Sequence, residues 1–519
     1  MARVHKLIIG NDAALKAKYG ERVRAIHKAI AALVAADQKR GLSSKYVVVD
    51  DPSLAKALSV NPAIVGDEKS HKDAVDAIYT EYKPDYMLLL GSPDIIPHIA
   101  LTNPLFNPKH PDDDSDKVVP SDLPYACDMS YGNDPGNFIG PTRVVSRLPD
   151  IFNSSNLNYF LGVLDSSRKA APRARNDYSN YLGVTADVWH RSTAKSLSNV
   201  FGAAKTMCKV PKSTYRWSSV QLDSLAHFFN CHGGDADTHY YGQLGRSFPV
   251  AHDAAYITGK IQPGTVMAAE CCYGAQLFDP GLTKAQMPIA NVYLQDGAFA
   301  FWGSTTIAYG PATTNNNADL ICQYFFQKVL AGSSIGEAAL LARQNLASIA
   351  KTISPTNLKT LAQFILLGDA SVHCVASDSS ENKSVKIGSG KTAQVWNPAE
   401  SQRQLRRSTA ADNGRILTLF RRHASAGSAT TDPQMEKSLL QVAARYNITE
   451  PSIVTRAITE PLVPEMLKAT PRHMARAEDV QHFHLVFDRR QAKQRFLKRI
   501  LEVEESDGRI LLVRELFAR

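Results

Sequence analysis

The first hundred residues alternate between short apolar runs and helical patterns: a strand at Val4–Gly10, an Ala/Lys-rich helix over Asp12–Lys39, a strand at Lys45–Asp50, a helix near Lys69–Glu81, then Tyr-Met-Leu-Leu-Leu-Gly from Tyr86. Short apolar strands separated by helices imply a parallel sheet covered by helices on both faces. After a Pro- and Asp-rich loop (Asn103–Asp122) the pattern resumes. Strands are expected at Arg143–Arg147, Gly183–Val188, Ala226–Asn230, Thr265–Glu270, Gly297–Trp302 and Val372–Val375, with helices over Asp319–Leu330 and Ile335–Lys351. The α/β pattern ends near residue 376.

A small, polar, Gly/Ser-bearing stretch, Ser377–Lys391, follows and reads as a boundary. The expected organisation is an α/β domain over residues 1–376, subdivided near 110–140, a linker over 377–400, and a smaller, basic α+β region over 401–519. That last region holds an Arg-rich segment (Arg403–Arg422), a helix over Asp432–Tyr446, a Pro-interrupted stretch to Pro471, and a terminal β-hairpin. Glu505-Ser-Asp-Gly-Arg509 lies between alternating runs and supplies the hairpin turn. A length of 519 residues suits more than one core, and 44% hydrophobic with 21% charged residues is an ordinary globular balance.

No stretch approaches the length of a membrane-spanning helix, and the first twenty residues lack the apolar core and cleavage site of a signal peptide. The expected address is the cytoplasm, with no membrane association. Seven cysteines, two of them adjacent, fit free thiols in a reducing compartment better than a disulfide framework. The net charge of +9 is concentrated late: residues 400–519 hold 21 Lys/Arg against 15 Asp/Glu. No helix-turn-helix, zinc or aromatic-platform signature accompanies that charge, so a nucleic-acid partner is disfavoured. No Gly-rich phosphate loop and no Cys/His pairs at zinc spacing occur, so neither a cofactor nor a metal is expected. The acidic run Pro111-Asp-Asp-Asp-Ser-Asp116 lacks calcium-loop spacing and reads as a solvated linker.

Two segments carry chemistry. In Ala226-His-Phe-Phe-Asn-Cys-His-Gly-Gly234 and in Thr265-Val-Met-Ala-Ala-Glu-Cys-Cys-Tyr-Gly-Ala275, a buried strand ends in a reactive side chain followed by small residues. Ligands of open α/β sheets bind outside the carboxyl ends of the strands, which is where both segments place their His and Cys. A thiolate is a strong nucleophile near neutral pH, and an adjacent imidazole lowers the thiol pKa or protonates the leaving amine. Glycine after the histidine lets backbone approach a scissile carbonyl, so the N–H groups of Gly233 and Cys272 are candidates for an oxyanion hole.

His-Gly at one strand end and an acidic or polar residue, a small residue and Cys at the next resemble the caspase-like clan of cysteine peptidases. The resemblance is closest to gingipain-type catalytic domains. It extends to Tyr86-Met-Leu-Leu-Leu-Gly-Ser-Pro-Asp-Ile-Ile-Pro97, Ser121-Asp-Leu-Pro-Tyr125, Gly297-Ala-Phe-Ala-Phe-Trp-Gly-Ser-Thr305 and Phe364-Ile-Leu-Leu-Gly-Asp-Ala-Ser371, over roughly residues 1–376. It implies a caspase/gingipain-like sheet and a thiol endopeptidase acting through His232 and Cys272 and an acyl-enzyme. Cys271 is the alternative nucleophile, and Asp187 is the match for an acid that orients the histidine. The sequence departs from the pattern in its double cysteine and in Ala370, where Pro is usual. The resemblance implies a protein substrate, and the absence of a visible propeptide points to the C-terminal region as regulator or docking site for an activator. Residue preference at the cleavage site is not legible. The competing readings are an inactive caspase-like scaffold, disfavoured because both Cys and His are present, and a basic-tail nucleic-acid binder.

Overall fold

A computed structural model describes residues 3–350, 352–376, 385–387, 394–396, 398–459 and 481–519. Most of the expected 377–400 linker, and residues 460–480 of the Pro-interrupted stretch, lie outside the described residues.

The centre is a ten-stranded sheet in the order Ser44–Val48, Lys6–Gly10, Tyr86–Leu90, Val145–Leu148, Phe364–Gly368, Ala300–Ser304, Val266–Ala269, Ala226–Asn230, Tyr181–Ala186, Cys208–Val210. Neighbours are parallel everywhere except at one seam, where Phe364–Gly368 runs antiparallel to Ala300–Ser304. The sheet is therefore two five-stranded parallel halves pointing in opposite directions. Its inner strands are buried end to end, as in Ala226–Asn230 and Ala300–Ser304, because helices cover both faces. One cover is the helix Ala318–Leu330, whose Phe325 stacks on Trp302 with ring centroids 5.3 Å apart.

Three expectations are corrected. The helix over Asp12–Lys39 is broken: Asp12–Tyr19 ends at Gly20, whose φ of +58° leaves the helical region, and Val23–Lys39 begins anew after a short 3-10 turn. The strand at Val372–Val375 is absent. Those residues make only isolated bridges, and the seam strand is Phe364–Gly368, whose five buried residues follow directly on the helix Pro355–Gln363. The acidic run at 111–116 is no solvated linker, since Asp113 and Asp114 are buried and Lys359 bridges Asp114 at 2.6 Å and Asp116 at 3.2 Å.

The C-terminal strands Arg422–Ala429, Pro451–Thr459, Gln481–Asp488, Arg499–Ser506 and Arg509–Ala518 form an antiparallel meander. Asp507 and Gly508, both at positive φ, turn the last hairpin. This sheet takes its two outer strands from earlier in the chain, Thr352–Ile353 at one edge and Tyr309–Gly310 at the other. The Arg-rich segment is a helix, Pro398–Phe420, and its charge is met within the chain. Arg406 pairs with Glu337 at 3.1 Å, Arg407 with Asp85 at 3.6 Å and Arg415 with Asp128 at 3.5 Å. Among the described residues, no helix is long and apolar enough to cross a membrane.

Candidate active site

Strand Val266–Ala269 lies beside Ala226–Asn230 in parallel register, with Ala269 opposite Phe229. The residues that follow each strand therefore emerge at the same edge of the sheet's second half. Cys271 and Cys272 leave that edge in opposite senses. The Cys271 thiol turns into the main core, 4.0 Å from the Phe229 carbonyl. Cys272 belongs instead to a second hydrophobic cluster that holds Tyr309, Leu485, Leu516 and Ala518. The backbone N–H of Ala308 donates to its sulfur at 3.3 Å. Burial pushes the Cys272 thiol up to about 12, with the Ala308 contact pulling the other way, and lifts Cys271 well above its ordinary value.

The turn after Cys272 is strained and pinned. Tyr273 sits at φ +54°, its N–H donates to the Thr306 carbonyl at 2.9 Å, and its hydroxyl donates to Asp116 at 2.7 Å. The other Asp116 oxygen accepts the N–H of Ile307 at 2.8 Å, so the buried acidic loop ties the cysteine turn to the 307–310 edge.

His232 is buried, and an antiparallel bridge to Tyr241 fixes its backbone. The amide nitrogen of Gln243 donates to the Gly245 carbonyl at 2.9 Å, which leaves its oxygen 2.7 Å from His232 Nε2. This network makes Nε2 the protonated nitrogen. Nδ1 is bare and has no hydrogen-bond partner among the described residues. The ring lies among Trp189, Phe496 and Phe248 at centroid distances of 4.4, 5.1 and 5.3 Å. Burial lowers the imidazole pKa to about 3, outweighing the Gln243 bond, so the ring is neutral.

The N–H groups of Gly233 and Cys272 point at one oxygen, the main-chain oxygen of Arg519, at 3.3 and 2.9 Å. Only glycine fits at 233, because a Cβ there would stand 1.9 Å from the Cys272 carbonyl oxygen. The Arg519 side chain is fully buried beside this point. Its Nη2 lies 3.1 Å from both oxygens of Asp319 and 2.8 Å from the Pro311 carbonyl, its Nε and Nη1 have no hydrogen-bond partner among the described residues, and the guanidinium carbon lies 4.4 Å from the centre of the Trp189 ring. Asn230 donates to the same Asp319 carboxylate at 3.3 Å. Glu270, buried next to it, is pushed well above its usual range by burial and by the Asp319 charge, with Arg519 opposing.

Of the residues expected from sequence, the structure gathers His232, Gly233 and Cys272 at one edge and turns Cys271 away. It does not bring Asp187 to the imidazole: the Asp187 carboxylate faces Lys209 at 3.8 Å, and the polar partner of His232 is Gln243. Sequence reasoning missed Gln243, Trp189, Asp319, Asp116 and Lys359. Asp319 had one visible cue, an acid in the first turn of a helix, but that reads as dipole compensation.

The model of peptidase family C25 matches residues 7–375. The chain belongs to peptidase family C25. As a C25 peptidase it is a cysteine peptidase of the caspase-like clan with a gingipain-type catalytic domain. A solved structure described as "Structure of Protease" is 11% identical, with a TM-score of 0.48, covering 100% of this chain and 98% of that one. The Saccharomyces cerevisiae separase–securin complex is also 11% identical, with a TM-score of 0.27, covering 44% of this chain and 14% of that one. Neither likeness adds weight to the family match. No curated protein matches the sequence.

Proposed function

We propose that this C25 peptidase is an endopeptidase in which Cys272 is the nucleophile, His232 its proton carrier, and the N–H groups of Gly233 and Cys272 the oxyanion hole. The observation that carries the reading is the convergence of those two N–H groups on a single main-chain oxygen, at 3.3 and 2.9 Å. In the reaction, sulfur bonds to the carbonyl carbon and the thiol proton passes to the bare Nδ1 of His232. The carbonyl oxygen gathers charge against the two N–H groups. Collapse breaks the C–N bond, and the amine leaves with the proton from the imidazole. Water, deprotonated by the same nitrogen, then cleaves the thioester and restores the thiol.

Gln243 holds the Nε2–H and so keeps Nδ1 free to accept. Cys271 lacks this environment, since its sulfur faces the core. Residues 401–519 contain no cysteine, yet they supply Phe496 and Arg519 to the walls of the site, so we assign them a regulatory role over a boundary in residues 377–400. Seven free thiols suit a reducing compartment, and we place the enzyme's action on protein substrates in the cytoplasm.

The test is hydrolysis of fluorogenic peptides ending in Arg, Lys, Asp or a neutral residue by the wild type, Cys272→Ala and Cys271→Ala. Turnover should vanish in Cys272→Ala and persist in Cys271→Ala. The reverse pattern would overturn the assignment.

A further inference from the structure

Segment 509–519 occupies the site as a substrate would. The strand Arg509–Ala518 adds antiparallel to Tyr309–Gly310, with Ala518 opposite Tyr309 and Phe517 opposite Gly310. The Arg519 N–H continues this ladder by donating to the Ala308 carbonyl at 2.9 Å. Extended peptides bind sheet edges in this way, backbone bonds giving affinity and alternate side chains entering pockets. The same Ala308 also touches the Cys272 sulfur through its N–H, which puts the Arg519 backbone one residue from the thiol. The Arg519 main-chain oxygen then meets the Gly233 and Cys272 N–H groups, and its side chain fills a closed pocket.

That pocket is built for one cation. Both Asp319 oxygens and the Pro311 carbonyl lie around the Nη2 of the guanidinium, Trp189 offers an aromatic face, and Nε and Nη1 have no hydrogen-bond partner among the described residues. A Cβ on Gly310 would stand 2.5 Å from the guanidinium, so glycine is needed for the side chain to pass. A second contact closes the site from the histidine side. Arg495 pairs with Asp237, and the adjoining Phe496 ring lies 5.1 Å from that of His232. The result is a Cys272 side chain and a His232 ring both shut off from water.

We propose that residues 495–519 are a built-in, substrate-like strap that holds this peptidase latent, with Arg519 seated beside Asp319 and Trp189 where the residue before the scissile bond would lie. The proposal rests on the peptidase reading for the identity of the site. The strap is a competitor in cis: substrate and Arg519 cannot occupy the pocket together, so the enzyme works only when segment 509–519 leaves the 307–310 edge. An activator needs only to bind the strap in its released form.

Thiol access tests the strap without requiring turnover. Alkylation of Cys272 by iodoacetamide, followed by peptide mass spectrometry, is compared in the full-length wild type, Arg519→Ala and Arg519→Gln. Labelling should be at least about ten-fold faster in both variants, in line with a pocket that binds its occupant tightly. Benzamidine, an aromatic amidinium shaped like an arginine head group, should slow labelling again in Arg519→Ala, leave the wild type unchanged, and lose its effect in Arg519→Ala/Asp319→Asn. A variant that labels quickly only because it is destabilised would not be protected by benzamidine in an Asp319-dependent manner. Equal labelling rates in the wild type and both variants, or fast labelling that benzamidine does not reverse, would overturn the strap. Either result would leave the peptidase reading standing if hydrolysis is still lost in Cys272→Ala.

Discussion

The two halves of the central sheet are built alike and finished differently. At the carboxyl ends of the first half, buried polar groups answer one another. Asp150 accepts from Ser92 N–H at 2.8 Å and from the Tyr19 hydroxyl at 2.7 Å, and Arg147 is held by Asp122 at 2.6 Å and by the Gly91 and Ile96 carbonyls. At the carboxyl ends of the second half, His232 Nδ1 is left bare and the two N–H groups of Gly233 and Cys272 bind a main-chain oxygen from far along the chain. An unmet buried polar group costs about 1–3 kcal/mol, and Asp94 Oδ1 in the first half is another such atom, so it is the two converging N–H groups that set the second half apart. The comparison separates motif residues that serve the fold from those that the proposed reading gives to the site: Ser121-Asp-Leu-Pro-Tyr125 and Cys271 belong to the first kind, His232-Gly233 and Cys272 to the second.

The strongest test of this division is at the cysteine pair. Cys272→Ala should reduce peptide hydrolysis about 10³-fold or more, because a covalent route is lost, while Cys271→Ala should keep activity within about ten-fold and lower the melting temperature. If Cys271→Ala is the inactive variant, the two thiols have been assigned to the wrong sides of the sheet.

Next in size is the first half's ion pair. Removing one partner of a buried pair typically costs about 3–5 kcal/mol, so Asp122→Ala should be strongly destabilised in denaturant titrations. Burial opposes the charge on Asp122, but Arg147 and His98 outweigh it and hold its carboxyl below the usual range. A depressed folded pKa gives stability that is present above the unfolded value, near 4, and is lost as pH falls further. Wild type should therefore lose stability below about pH 4, and Asp122→Asn should start lower and show a flatter loss. A parallel decline in the two proteins would mean that the pair does not govern acid stability.

A third test compares one thiol from each half. Burial pushes both Cys127 and Cys272 up to about 12, so in the strapped protein each alkylation rate should climb with pH through the alkaline range. In Arg519→Ala the Cys272 profile should move to lower pH while that of Cys127 stays. Movement of both would indicate general loosening and not release of one site.

The sequence made the α/β alternation, the strand ends that carry His232 and Cys272, and the final hairpin legible because each is written in neighbouring residues. Ala226–Asn230 ends as expected, and Asp507-Gly508 turns as its dipeptide requires. What was hidden depends on distance along the chain. Asp116 looked like part of a solvated run because its partners, Lys359, Tyr273 and Ile307, are more than 150 residues away. The charge partners of the Arg-rich segment were not visible because Glu337, Asp85 and Asp128 are remote in sequence. The seam strand was missed for a local reason: Phe364–Gly368 follows a helix with no loop between them, leaving no turn residue to mark its start.

The smallest expected effects sharpen the comparison most, because they concern which polar group orients His232. Gln243→Leu removes the acceptor of Nε2–H and leaves a buried donor unmet, so kcat should fall about ten-fold or more with KM little changed. Gln243→Glu should restore much of that rate and move the pH profile upward, since a carboxylate beside the ring favours the imidazolium. Asp187→Asn should do far less. Its carboxylate is partly exposed and meets Lys209 at 3.8 Å, a contact worth under about 1 kcal/mol at a surface, and nothing links it to the ring. Activity within about three-fold of wild type is expected. If Asp187→Asn falls as far as Gln243→Leu, an acid from the neighbouring strand reaches the histidine once the strap has left. The orienting group of the working enzyme would then be Asp187, with Gln243 serving only the latent state.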